Sequence, residues 1–214
     1  MHILPASAEA IQEAIRILRR GGIVAHATET CYGLACDLAN PDAVARLFLV
    51  KERHLLQPVS GLFSSVGQAR QYTEWTAEAD VLAAKHLPGP LTIILPLKTT
   101  GAPHTLFTNV PPPESRAPHH AERRTIGVRI SSHPLAQELI NSYGRPLSTT
   151  SANLHGQPNP YSTEEVVRQF DGRRLQPDLI IDSGPLPGTP PSTVVDLSGG
   201  SPQTLRSGPL HVAP

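Results

Sequence analysis

Apolar residues recur at helical spacing at Ala8, Ile11, Ala14, Ile15 and Leu18, one face of an amphipathic helix. Ser7 stands where an N-cap is needed, Arg19 and Arg20 suit the C-terminal dipole, and Gly21-Gly22 supplies the stop. Ile23 to Ala27 then reads as a short buried strand. It runs into T-E-T-C-Y-G-L-A-C-D (Thr28 to Asp37), polar and then small, with a glycine at its bend. Asn40-Pro41 is a cap followed by proline at the first helical position. Ala43, Val44, Leu47 and Phe48 form the inner face of that helix, which delivers Lys51-Glu52-Arg53 at its end.

The alternation continues. Val59 to Phe63 predicts a strand, Ser65 to Tyr72 a short helix, and Thr76 to His86 a helix ended by Pro88-Gly89-Pro90. Leu91 to Leu97 is a β-branched strand limited by Pro96. Thr125 to Ile130 is another, and Pro134 to Ser142 a helix capped by Ser131 or Ser132 and stopped by Gly144. An apolar approach ending at Leu147 leads into four successive hydroxyls, Ser148 to Ser151, then Ala152 and Asn153. A helix starting at Ser162-Thr163-Glu164-Glu165, a strand over Leu179 to Asp182, and two closing strands, Ser192 to Leu197 and Gln203 to Arg206, complete the chain. No internal repeat is evident. Uneven alternation of strands and helices predicts an α/β fold with a sheet of mixed strand directions.

One stretch breaks the pattern. Residues 98–124 hold five prolines, three histidines and almost no periodic apolar positions. This reads as a Pro-rich insertion, partly disordered and able to lie over a site, within a single domain spanning 1–214. Composition narrows the function classes. Apolar residues are 39% and aromatics only 4%, so the core is mostly aliphatic. Lys plus Arg and Asp plus Glu are 18 each, which argues against a protein that mainly coats nucleic acid or an anionic membrane. No apolar run approaches the roughly 20 residues a membrane span needs, no signal peptide is evident, and two cysteines cannot form a disulfide framework. A cytoplasmic location is expected.

The candidate chemistry is cationic and hydroxyl-rich. Lys51 and Arg53, at a helix end, combine a point charge with a bidentate fork and suit phosphates; the plainer alternative is dipole-matching charge. Arg129 stands inside an apolar strand and needs either an internal carboxylate or an anionic ligand, and Gly127 on the same face leaves room beside it. Arg206 is a further isolated cation, and Ser192-Thr193 opens a strand after Pro190-Pro191. The run Ser148 to Ser151 is poor helix material, either a hydroxyl-rich turn or a strand end presented to something bound. Cys31 and Cys36 lack the partners of a zinc site and read as small buried hydrophobes. Neither phosphate-binding glycine motif, G-x-x-x-x-G-K-[ST] or G-x-G-x-x-G, is present, nor is G-x-S-x-G. Scattered cations and hydroxyls without an obvious base or nucleophile fit a polyanionic substrate handled by positioning and charge stabilisation, as in adenylyl transfer.

Taken together the motifs resemble the YrdC-like family, the threonylcarbamoyl-AMP synthases. The matching pieces occur in family order: G-G-I-V-A-H-A-T-E-T-C-Y-G-L-A-C-D (Gly21 to Asp37), K-E-R (Lys51 to Arg53), L-P-G-P-L-T (Leu87 to Thr92) and T-I-G-V-R-I-S-S-H-P-L-A (Thr125 to Ala136). T-S-A-N-L-H-G (Thr150 to Gly156), P-S-T-V-V-D (Pro191 to Asp196) and L-R-S-G (Leu205 to Gly208) follow. The departures are His26-Ala27 for the usual Tyr-Pro, His54 for a proline, and a longer 98–124 segment. The extra C-terminal domain of longer relatives is expected to be missing.

The resemblance implies a twisted mixed β-sheet with helices packed around a concave, positively lined cavity. It implies conversion of L-threonine, bicarbonate and ATP, with Mg²⁺, to threonylcarbamoyl-AMP and pyrophosphate, for the threonylcarbamoyladenosine modification of tRNA. By the same resemblance Lys51, Arg53, Ser151, Asn153 and Arg206 hold ATP and adenylate, and Thr30, Thr125, Arg129 and Ser192 hold threonine. No residue is implied as base or nucleophile, and no protein metal ligand. RNA and the tRNA threonylcarbamoyl-transferase complex are possible further partners. The rival readings are a non-catalytic RNA-binding protein of the same fold and a carbamoyl-adenylate-forming domain acting on carbamoyl phosphate.

Overall fold

A computed structural model describes residues 1–54, 59–98, 124–199 and 201–212. Its elements run β1 (His2–Pro5), α1 (Ala8–Arg19), β2 (Val24–His26), β3 (Gly33–Ala35), α2 (Pro41–Val50), β4 (Ser60–Leu62), α3 (Val66–Tyr72) and α4 (Ala77–His86). Then come β5 (Leu91–Pro96), β6 (Thr125–Arg129), α5 (Pro134–Tyr143), β7 (Leu147–Ser151), α6 (Thr163–Phe170), β8 (Leu179–Asp182), β9 (Thr193–Asp196) and β10 (Gln203–Arg206). Most of the Pro-rich 98–124 segment, residues 99–123, lies outside the described residues, as does 55–58.

Caps that the sequence announces start most helices. Ser7 accepts from Ala10 N, Asn40 from Asp42 N and Ala43 N, Ser65 from Gln68 N, Thr76 from Ala79 N and Ser162 from Glu165 N. Gly144 ends α5 in the left-handed conformation, φ 81°. One cap differs from expectation. His133, not Ser131 or Ser132, caps α5, with Nδ1 accepting from Leu135 N at 3.2 Å. Ser131 is drawn elsewhere, to a carboxylate described below.

The ten strands form one sheet in the order β1-β8-β2-β3-β7-β4-β6-β5-β9-β10. Pairs β1/β8, β8/β2, β4/β6 and β5/β9 are parallel and the other five antiparallel, so the sheet is mixed. The aliphatic core lies between this sheet and its helices, and α1 packs on β2, β8 and α5. Two strands have no counterpart in the hydrophobic pattern. β1 is an edge strand with mostly exposed side chains, and β3 is only Gly33-Leu34-Ala35. Both exist because neighbours offer them a ladder rather than through any signal of their own. No helix among the described residues is long and apolar enough to cross a membrane.

Candidate active site

Strand register builds the site. Arg206 on β10 pairs with Val194 on β9, Val194 with Thr92 on β5, and Thr92 with Arg129 on β6. Paired residues share a face, so these four stand in a row with an arginine at each end. The neighbouring row is Thr149 on β7, Ser60 on β4, Gly127 on β6 and Ile94 on β5. Ser151, at the end of β7, faces Gly33 on β3. Above this surface lies a cavity of about 160 Å³ lined by side chains from these rows together with Thr28, Thr30, Cys31, Arg53, Asn159 and Ser192. Three arginines line it and no carboxylate does. Burial pushes the guanidinium pKa of Arg53 and Arg206 down, and the charge of Arg129 adds to the effect at Arg206. The hollow is therefore built for an anion.

The turn after α2 separates the two basic residues of K-E-R. Glu52 takes a left-handed conformation, φ 51°, and Arg53 N reaches back to the Phe48 carbonyl at 2.9 Å. Arg53 leaves the helix axis and lines the cavity. Lys51 turns inward instead. Its Nζ donates to the carbonyls of Ser151 (2.5 Å) and Asn153 (2.7 Å) and to Asn153 Oδ1 (3.1 Å). Burial, then Arg53, pushes this amine down to about 7. Three acceptors act the other way, because only the ammonium form has three N–H donors; the geometry is that of a Lys51 cation. Asn153 is buried, accepts from Ser151 Oγ at 2.5 Å and donates from Nδ2 to the Gln157 carbonyl at 2.5 Å. Lys51 and Asn153 thus brace the turn that holds Ser151 and are not themselves on the cavity wall.

Of the two partners that its position in a buried strand allows, Arg129 has an internal carboxylate. Its Nη2 donates to Glu29 Oε1 at 2.8 Å and to Thr30 Oγ1 at 2.8 Å. Ser131 Oγ donates to the other Glu29 oxygen. Arg129 Nε is buried and has no partner in the structure. At the other end of the row, Arg206 Nε donates to the Ser192 carbonyl and Nη2 to Ser192 Oγ, both at 3.0 Å, and Ser192 Oγ lies 2.8 Å from Thr92 Oγ1. Gly208 N and Leu210 N reach Thr193 Oγ1, each at 3.1 Å, which folds L-R-S-G back over P-S-T.

Of the nine residues implied by the resemblance, Thr30, Arg53, Ser151, Arg129, Ser192 and Arg206 share the cavity. Lys51 and Asn153 sit behind it. Thr125 lines an adjoining hollow of about 240 Å³ with Val59, Ile94, Gly127 and Leu205, which shares Ser60, Val194 and Arg206 with the first. Glu29, Thr28, Thr92 and Asn159 are additions. That Arg129 needs either an internal carboxylate or an anionic ligand is legible, but that one of the 18 acidic residues, Glu29, stands beside it depends on long-range pairing. Beside this cluster His26 is wholly buried, and burial depresses its pKa to about 4. Its Nδ1 lies 3.0 Å from the Ala27 carbonyl, so Nδ1 carries the hydrogen and Nε2 is bare. Cys31 and Cys36 are free and buried.

Residues 16–208 match the Sua5/YciO/YrdC domain family, described as "Telomere recombination". A threonylcarbamoyl-AMP synthase of Bacillus subtilis is 34% identical over 200 residues, covering 92% of this chain and 53% of that protein. The chain thus spans about half the length of that relative. A threonylcarbamoyl-AMP synthase of Chromohalobacter salexigens is 34% identical over 205 residues, covering 94% of this chain and 98% of its own length. The crystal structure of P. abyssi Sua5 complexed with L-threonine superposes with a TM-score of 0.81 at 32% identity, covering 97% of this chain and 56% of that one. With a match over nearly all its length, the chain belongs to the Sua5/YciO/YrdC family.

Proposed function

We propose that this chain is a threonylcarbamoyl-AMP synthase, forming L-threonylcarbamoyladenylate and pyrophosphate from L-threonine, bicarbonate and ATP. The observation that carries this reading is the gathering of Thr30, Arg53, Ser151, Arg129, Ser192 and Arg206 around one anion-binding cavity. The relatives named threonylcarbamoyl-AMP synthase support it. In this reading threonine's amine attacks carbon dioxide derived from bicarbonate, giving a carbamate. A carbamate oxygen attacks the α-phosphorus of ATP and pyrophosphate leaves. Arg53 and Arg206 offset charge on the phosphates. Arg129, Thr30 and Ser192 take the amino-acid end. Ser151 contacts adenylate, and Lys51 and Asn153 act through it.

Thr125 precedes Arg129 by four strand residues, roughly 13 Å at the strand rise, so a ligand touching both is longer than threonine alone. We assign the apolar-walled hollow beside Thr125 to the adenine end. No protein base is assigned. ATP chemistry calls for Mg²⁺, but the cavity wall has no carboxylate, and the described residues hold no cluster of three His, Cys, Asp or Glu able to bind a metal. The side chains present do not fit a protein-held ion, so Mg²⁺ is placed on the triphosphate and no step is routed through it. The product supplies tRNA threonylcarbamoyladenosine formation in the cytoplasm, with the threonylcarbamoyl-transferase machinery as the receiving partner. The test is pyrophosphate release by the purified protein. Release that needs both threonine and bicarbonate is expected, and a folded sample that releases none refutes the assignment.

A further inference from the structure

The carboxylate beside Arg129 is fixed from both sides. Thr28 N donates to the Cys31 carbonyl at 3.2 Å, and the loop so closed carries Glu29. Arg129 ends β6 and Ser131 stands two residues on, the strand spacing for one face. Arg129 Nη2 holds Glu29 Oε1 at 2.8 Å, and Ser131 Oγ donates to Oε2. Ser131 Oγ in turn accepts from His133 N at 3.2 Å, which leaves its hydrogen for Glu29. The Glu29 side chain is only 15% exposed, so water screens its charge poorly. The far end of the arginine row is different. Arg206 donates to the Ser192 carbonyl and hydroxyl, both uncharged. Three strand spacings, about 14 Å, separate the two arginines along the sheet. One end of the cavity thus has a cation matched by a fixed anion, and the other a cation on neutral oxygens.

We propose that Glu29 is a specificity-determining residue that keeps the Arg129 end of the cavity for a ligand of little net charge and turns phosphates toward the Arg206 end. This rests on the proposed function, in which one cavity takes both an amino acid and ATP. A guanidinium fork binds carboxylate and phosphate alike, so arginines alone do not sort the two. Net charge does. Free threonine is a zwitterion with no net charge, whereas inorganic phosphate at pH 8 is close to a dianion. An anion placed on Arg129 also feels the Glu29 charge behind it, and a dianion feels it twice over. The zwitterion offsets that repulsion, because its ammonium is attracted to the same carboxylate. Only Nη2 of Arg129 is engaged by Glu29 and Thr30, so the ion pair leaves donors for a substrate carboxylate. A fixed like charge that rejects the wrong ligand gives selectivity by repulsion. Without it, pyrophosphate or ATP would settle over Arg129 and block threonine.

Glu29→Gln removes the charge and keeps the side chain's shape and an acceptor for Arg129. Titration calorimetry at pH 8 follows L-threonine binding to the wild type, E29Q and E29D, with inorganic phosphate or 3-hydroxybutanoate (threonine without its amine) as competitor. In the wild type 3-hydroxybutanoate, a monoanion, should displace threonine at lower concentration than phosphate does. In E29Q the phosphate concentration that halves threonine binding should fall about tenfold and that of 3-hydroxybutanoate about threefold, while threonine affinity changes by less than about threefold. E29D keeps the charge and should stay close to the wild type in phosphate competition. A merely structural Glu29 would loosen Arg129 and weaken all three ligands together. That outcome, unchanged phosphate competition in E29Q, or an E29D variant that behaves like E29Q each overturns the inference. If neither variant folds, the wild-type arm decides: phosphate that displaces threonine as readily as 3-hydroxybutanoate overturns it. Wild-type protein that binds no threonine overturns the functional reading itself, a result distinct from normal threonine binding with unchanged phosphate competition.

Discussion

Asn153→Ala is the sharpest perturbation of the braced turn. The substitution removes the acceptor for Ser151 Oγ (2.5 Å), one of three acceptors for Lys51 Nζ (3.1 Å) and the donor to the Gln157 carbonyl (2.5 Å), at a buried position. Each such hydrogen bond is worth about 1 kcal/mol net, so the expected loss is about 3 kcal/mol. Lys51 keeps the carbonyls of Ser151 and Asn153, so its charge stays solvated by the backbone. A chain of this size loses roughly 2–4 °C of melting temperature per kcal/mol, so the transition should fall by about 6–12 °C while remaining cooperative. Ser151 loses its side-chain anchor, and turnover at saturating threonine should fall at least about tenfold. The assay pairs a thermal melt with pyrophosphate release at a temperature well below both transitions. Asn153→Asp, which keeps the acceptor oxygens, should recover more of the stability than alanine does. A tenfold loss of turnover with unchanged stability would refute the bracing role and put Asn153 on the ligand. Unchanged turnover together with lowered stability would make the segment a turn with no part in the reaction.

Further expectations concern the surrounding frame. His26 has a folded-state pKa depressed from 6.5 to about 4, so the stabilisation it permits is present above pH 6.5 and is lost as pH falls toward 4. Two and a half units correspond to about 3 kcal/mol; urea midpoints from pH 4 to 7 should fall more steeply for the wild type than for His26→Asn, and equal slopes would contradict this. The Tyr32 hydroxyl accepts from Ser183 N and donates to the Gly184 carbonyl, both at 2.9 Å, so Tyr32→Phe should cost about 1–3 kcal/mol in denaturant unfolding. A Cβ at Gly208 would sit 2.3 Å from the Pro191 carbonyl oxygen and 2.5 Å from Thr193 N, both backbone atoms. Gly208→Ala should therefore cost about 1–3 kcal/mol and loosen Arg206 from Ser192, seen as weaker ATP binding in a titration; unchanged affinity would show that Arg206 is placed without this hook.

What was legible in the sequence follows from range. Caps and periodicity are local, so α1, α2, α4 and α6 stand where Ser7, Asn40, Thr76 and Ser162 announce them. The long β-branched strand over Leu91 to Pro96 was equally plain. β1 and β3 were not, because three or four residues supported by neighbours carry no period of their own. The cap of α5 went to His133 because Glu29, distant in sequence, captured Ser131. The site divides in the same way. A buried arginine in a strand declared that Arg129 needs an anion, and the spacing of K-E-R declared a helix end. That Lys51 would fold under the Ser151 turn while Arg53 faced the cavity depended on the left-handed Glu52, which nothing in the residue type advertises. The row from Arg206 to Arg129 crosses four strands and exists only once their register is set.

The central claim is that one cavity joins threonine, bicarbonate carbon and AMP. It is tested most directly by incubating the protein with ATP, Mg²⁺, L-threonine and ¹³C-bicarbonate and identifying the nucleotide product by mass spectrometry. The account predicts an adenylate that contains both threonine and the labelled carbon, formed together with pyrophosphate. An adenylate lacking threonine, or one formed equally well when carbamoyl phosphate replaces threonine and bicarbonate, would contradict it.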